Sequence, residues 1–188
     1  MIKISQLSPL GREIVNWAVT IGSVILCTMF LLTRMPGTAL LGIGPHWLLI
    51  WVVAWSVKRT VFQGAIAGLA LGLIQDGMTS GLIGDSISYL PSHALSLAVV
   101  GILTACIKKQ KYIQEDFISI ALIVFGMAIL AETLTAFQHI LVGLRELAEV
   151  WSFHQRIALS SAILSSLWAP VIYYPLNLWW QRMKAFEQ

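Results

Sequence analysis

The side chains able to do chemistry in this chain are few, and apolar residues surround most of them. Glu132 is the only acidic residue well inside an apolar segment, and His139 follows it seven positions later with Gln138 beside it. On a helix, positions seven apart share a face two turns apart, so Glu132 and His139 project into one neighbourhood. A carboxylate inside a membrane is costly unless it is paired, protonated or turned toward a polar interior. Two roles fit: a proton or substrate site, or an interhelical hydrogen bond that fixes packing. His93 and Ser96, in another apolar segment, are partners for either role. Asp76, in Gln75-Asp76-Gly77, also has two roles: an interfacial acid that ends a helix, or an acceptor for backbone amides of the glycine-rich loop that follows.

None of these residues falls into a catalytic spacing. The sequence has no His pair at i, i+4, no H-E-x-x-H or Walker loop, and no serine with a neighbouring His and acid. An intramembrane protease needs a buried Ser with His, or aspartates in two spans, whereas Asp76 and Asp85 fall in one loop. Cys27 and Cys106 lie in or at the end of apolar runs and read as small hydrophobes, not as a disulfide or a metal site. The reading is of a non-enzyme with no cofactor and no metal.

The elements that position these residues are membrane helices. Hydrophobic residues make up 57% and charged residues 11% of the 188, and the mean hydropathy is +0.79; a soluble domain carries about 25% charge. The net charge of +3 is scattered, without the concentrated basic surface that nucleic acid requires. At about 20 apolar residues per span, one polytopic domain of six helices fills the chain, with spans at 14–33, 40–57, 60–75, 88–107, 117–141 and 157–180. Gly64, Gly68 and Gly72 stand four apart in the third span, giving a face where another helix backbone can approach and marking a buried helix. Trp47, Trp51 and Trp55 form a stripe on the second, read as rings toward lipid or a neighbouring helix with the outer two near the interfaces, in preference to a face on which a ligand stacks. Leu144, Leu147, Ala148 and Trp151 suggest a short interfacial helix before the last span, which Pro170 and Pro175 should kink.

The segment from Gly64 through Gly68, Gly72 and Leu73 to Asp76, followed by Gly81 and Gly84 and a further apolar span, resembles the MreD family of bacterial rod shape-determining membrane proteins. The resemblance implies a non-enzymatic scaffold of the cell-elongation machinery in the bacterial plasma (inner) membrane. Its implied partners are MreC, then MreB and the peptidoglycan synthases, met directly or indirectly. It further implies a fold like the substrate-binding subunits of energy-coupling-factor transporters. Under it the glycines pack the third span, and Asp76, Gly81 and Gly84 form an outer-loop motif. The competing reading is such a vitamin-binding subunit itself, although Gly22 and Leu26 on the first span do not supply the small-x-x-x-small docking face expected of one.

Orientation follows from Lys and Arg in alternate loops. Lys3, Arg12, Lys58, Arg59, Lys108, Lys109, Lys111, Arg182 and Lys184 fall on one side, and Arg34, Arg145 and Arg156 on the other. The positive-inside rule puts the richer side, and both termini, in the cytoplasm. In a background lacking Cys27 and Cys106, single cysteines at Ser80 and Ser152 are expected to react with an impermeant thiol reagent added to cells, and one at Gln110 is not. Labelling at Gln110 alone would reverse the orientation.

Overall fold

The computed structural model describes residues 8–33, 42–79, 92–107, 117–141 and 147–185, except for the side chains of Pro9, Thr79, His139 and residues 147–154. They form six helices: α1 Pro9–Thr33, α2 Trp47–Ser56, α3 Val61–Thr79, α4 His93–Ile107, α5 Phe117–Leu141 and α6 Leu147–Ala185. Four contain apolar stretches long enough to cross a membrane, namely Leu10–Thr33, Val61–Met78, Phe117–Gln138 and Gln155–Ala185. The 10 residues of α2 and the 15 of α4 do not. At 1.5 Å per residue they reach about 15 and about 22 Å into a hydrocarbon core of about 30 Å.

The second span is therefore shorter than its apolar run. Gly42 takes φ +82°, and Pro45 lacks an amide and disfavours helix at Gly44, so helical structure begins only at Trp47. Once begun, α2 is apolar all round and nine of its ten residues are buried. It contacts all five other helices and is the core of the bundle. Its tryptophans face neighbouring helices. Trp47 packs against Phe30 at 5.1 Å and Trp168 at 5.4 Å, Trp51 stacks on Trp55 at 5.4 Å, and Trp55 meets the Trp180 ring edge-on at 5.3 Å. Arg59 lies 4.3 Å from the Trp55 ring and Lys58 donates to Asn177 Oδ1 at 2.5 Å, fixing the basic end of α2 against α6.

A turn at Lys58–Thr60 leads into α3, which opens with a reciprocal cap. Thr60 Oγ1 accepts from Gln63 N at 3.3 Å, and Gln63 Oε1 accepts from Thr60 N at 3.2 Å. The helix runs to Thr79, past the expected end at Gln75, so Asp76 and Gly77 are helical and do not form a loop. Nor is α3 buried all round. Phe62, Ile66, Leu69 and Leu73 are exposed on one side, because small residues narrow only the opposite face. That face meets α4 backbone to backbone. A Cβ on Gly64 would sit 2.5 Å from the Gly101 carbonyl oxygen; on Gly68 it would fall on the Leu97 carbonyl, and on Gly72 on the Ala94 backbone. Gly101 returns the contact, since a Cβ there would fall on the Gly64 carbonyl.

The other tight pair is α5 with α6. Here Leu147, Ala148 and Trp151, expected in a separate interfacial helix, belong to α6: from Leu147 onward the chain is one 39-residue helix with Pro170 and Pro175 inside it, and Leu144 lies outside the described residues. By contrast α1 touches mainly α2, with a few contacts to α6. It presents Leu10, Ile14, Ile21 and Ile25 outward.

Gly68→Leu is expected to lose the folded protein, because the side chain would enter space held by the α4 backbone, overpacking that costs about 1–3 kcal/mol or more. Leu69→Ile, on the exposed side, should leave the melting temperature in detergent within a degree or two, about what a tolerated apolar swap costs. A Gly68→Leu variant that melts like the wild type would show that α3 and α4 are not apposed through these glycines.

Candidate functional site

Polar residues from five elements meet at one level of the bundle, and helix lengths explain why. Gln75 and Asp76 lie 14 and 15 residues into α3, and His93 lies 14 residues from the far end of α4. Each is then about 21–23 Å from the basic end of its helix. The glycine contacts set α3 and α4 antiparallel in a register that brings Asp76 to the first turn of α4.

Asp76 is consumed by that turn. Its Oδ1 accepts from the His93 amide at 2.8 Å and its Oδ2 from the Ala94 amide at 3.2 Å and from Ser92 Oγ at 2.8 Å. His93 Nδ1 lies 2.8 Å from Oδ1, a separation at which the ring nitrogen donates to the carboxylate. A carboxylate on α3 thus caps α4 across the helix interface, satisfying amides that a helix start otherwise leaves unpaired. These amides belong to α4 and not to the glycine-rich loop, where the sequence placed one of the two roles of Asp76. From α5, Gln138 completes the fixture: Oε1 accepts from the Ser92 amide at 2.8 Å and Nε2 donates to the Ser92 carbonyl at 3.3 Å. Three helices are tied at Ser92.

His46 does for α2 what Asp76 does for α4. It is the N-cap residue, and its Nδ1 accepts from the Leu49 amide at 3.3 Å while its own amide donates to Ser165 Oγ on α6 at 2.8 Å. An Nδ1 that accepts is unprotonated, which leaves the ring proton on Nε2; Gln75 Nε2 lies 3.5 Å from that atom, a proximity of two donors and not a hydrogen bond in this tautomer. The His46 and His93 ring centroids are 6.4 Å apart, so the two caps share one neighbourhood.

Glu132 lies six residues before Gln138 on α5, about 9 Å deeper in the bundle than the bonds at Ser92. It is partly exposed and makes no hydrogen bond to another described residue. Ser96, the other partner considered for it, is turned elsewhere: its Oγ donates to the His93 carbonyl at 3.0 Å and receives Thr135 Oγ1 at 3.4 Å. The His139 side chain, Gly81 and Gly84 lie outside the described residues. The glycines Gly64, Gly68 and Gly72 line the α3–α4 interface below the cluster and take no part in it. Sequence reasoning missed His46, Gln75, Ser92 and Ser165. Only His46 carried a local signal, a side-chain acceptor directly before an unbroken apolar run.

Chemically, the arrangement anchors helix ends. The hydroxyl nearest an acid, Ser92 Oγ, donates to Asp76, while the imidazole that would have to serve it as base is bonded to that same carboxylate. Among the described residues no group of three His, Cys, Asp or Glu side chains can hold a metal ion.

Two comparisons, with curated proteins and with solved structures, return no match, so the likeness to energy-coupling-factor subunits gains no structural support. A family model described as rod shape-determining protein MreD matches residues 11–183. That match takes in every described helix almost from end to end, including the glycine face and the capped helix starts, and the chain belongs to the MreD family of rod shape-determining membrane proteins.

Proposed function

We propose that this chain is a non-enzymatic scaffold of the bacterial cell-elongation machinery, linking MreC and the cytoskeletal MreB to lateral peptidoglycan synthesis. It would sit in the plasma membrane with both termini cytoplasmic, which the Lys and Arg asymmetry supports. The observation that carries the reading is the family match over residues 11–183. The geometry agrees with it: the polar groups at the α2 and α4 starts are spent on holding helices at fixed heights, as a protein that offers a rigid surface requires.

Depletion of the protein in its own host, followed by complementation, tests the proposal. Wild-type complementation should restore rods and recovery of MreC with the tagged protein, whereas cells that stay rod-shaped on depletion would rule the role out. Asp76→Ala should fail at reduced protein level, since it strips the His93 and Ala94 amides of their acceptor at about 1–3 kcal/mol for each group left unsatisfied. Glu132→Gln keeps size and hydrogen-bonding capacity while removing the charge, so it should leave shape and MreC recovery nearly unchanged. Rounded cells carrying Glu132→Gln at normal protein level would mean that the charge itself is used, which a scaffold does not need.

A further inference from the structure

A hydroxyl inside a helix can turn back onto the carbonyl of the preceding turn, and in a membrane that is its nearest acceptor. Thr20, Thr28, Thr133 and Thr135 each donate to the carbonyl four residues back, and Ser96 donates to the one three back. Ser56 and Thr104 do not. Both residues are fully buried, and neither Ser56 Oγ nor Thr104 Oγ1 has a hydrogen-bond partner among the described residues. Enclosed polar atoms left this way are rare, because burying a hydroxyl without a partner is costly.

The two hydroxyls belong to one place. Ser56 is the last residue of α2 and Thr104 stands three residues from the end of α4, so both lie within about a turn of the basic ends of their helices. Ser56 Oγ is 3.1 Å from the point that a Cβ on Gly64 would take, and the Gly101 carbonyl oxygen is 2.5 Å from that same point. Ser56 therefore reaches the crossing of α3 and α4 from the α2 side. Thr104 reaches it along α4. It follows Gly101 by one turn, and side chains on a helix lean toward its N-terminus, so the Thr104 side chain lies over the turn that holds Gly101. Leu97, Val100 and Thr104 are all fully buried at helical spacing, which keeps the Thr104 hydroxyl inside the bundle beside the Gly64–Gly101 contact. With no side chain on either glycine, the corner between α2, α3 and α4 is lined by two hydroxyls and a carbonyl oxygen.

We propose that one water molecule is bound in this corner, held by Ser56 Oγ, Thr104 Oγ1 and the Gly101 carbonyl, and that it ties the end of α2 to the α3–α4 pair. Three polar partners are the usual complement of a buried water. Each hydroxyl can donate once and accept twice, and the carbonyl has a second lone pair beyond its helical bond, so one water can give and receive at the same time. All three partners are neutral, which suits water and not an ion. This goes beyond the scaffold reading and does not depend on any of its partners.

Thermal unfolding of the full-length protein in detergent, together with a crystal structure grown in lipidic cubic phase, tests it. Ser56→Ala and Thr104→Val each remove one hydroxyl with little change of shape. Loss of a bridging water in either variant should lower the melting temperature by about 2–4 °C. The double variant should melt no lower than the worse single one, because the second hydroxyl by then has nothing to hold. Hydroxyls that bind no water would behave in the opposite way: removing an unsatisfied buried group raises the melting temperature, and such a rise would overturn the site. Losses that add in full would mean two separate partners and would overturn the sharing. In the crystal structure a density peak within hydrogen-bonding distance of both oxygens is expected, whereas two hydroxyls bonded directly to one another, or no peak between them, would overturn the water.

Discussion

The backbone contact between α3 and α4 is the constraint on which the rest of the molecule depends. Gly64 faces Gly101, Gly68 faces Leu97 and Gly72 faces Ala94, so each step of four on one helix meets a step of three or four on the other. In lipid there is little hydrophobic force to press helices together, and close van der Waals approach over several turns is what holds such a pair. The same register carries the contact on to Asp76 one turn further. A packing face made of nothing thereby places a carboxylate at the start of the neighbouring helix. Moving α4 by one residue would put Asp76 out of reach of the amides it caps.

A second constraint follows from the first. With α3 and α4 drawn together, α2 is enclosed on all sides, and its side chains fill the interior with large rings and aliphatic groups. A buried helix in this position has no need to cross the bilayer, because the helices around it do so. It does need a way in. The break at Gly42 to Pro45 supplies one, and His46 closes the helix start where a backbone amide would otherwise lack a partner.

Much of this was legible in the sequence, and the gaps have physical causes. The order of apolar segments and the glycine spacing are local patterns, so the six helices and the small face of α3 can be read directly. Which helix that face meets is not local, and neither is the pairing of Gln138 with Ser92, 46 residues away. The length of α2 was misjudged because Leu40, Leu41 and Ile43 keep the run apolar through Gly44-Pro45, although the chain geometry at those two residues cannot continue a helix. The glycines of α3 likewise suggested burial on all sides, whereas Phe62, Ile66, Leu69 and Leu73 show that a narrow face and an exposed one coexist. Glu132 stood out for its charge, but His46 did not, since a histidine before an apolar run has no fixed meaning until its ring is seen to accept the Leu49 amide.

The loose attachment of α1 has a consequence of its own. Trp179 Nε1 donates to Asn16 Oδ1 at 3.3 Å and Trp51 Nε1 donates to Ser23 Oγ at 2.8 Å, and Asn16 and Ser23 lie on the same side of α1 two turns apart. Thr20 and Cys27, both buried, continue that side. Two indole donors acting on one edge work like a pair of pins on a rod. They set its azimuth as well as its distance, so α1 turns the same residues to the lipid, and any rotation of the rod would break both bonds at once.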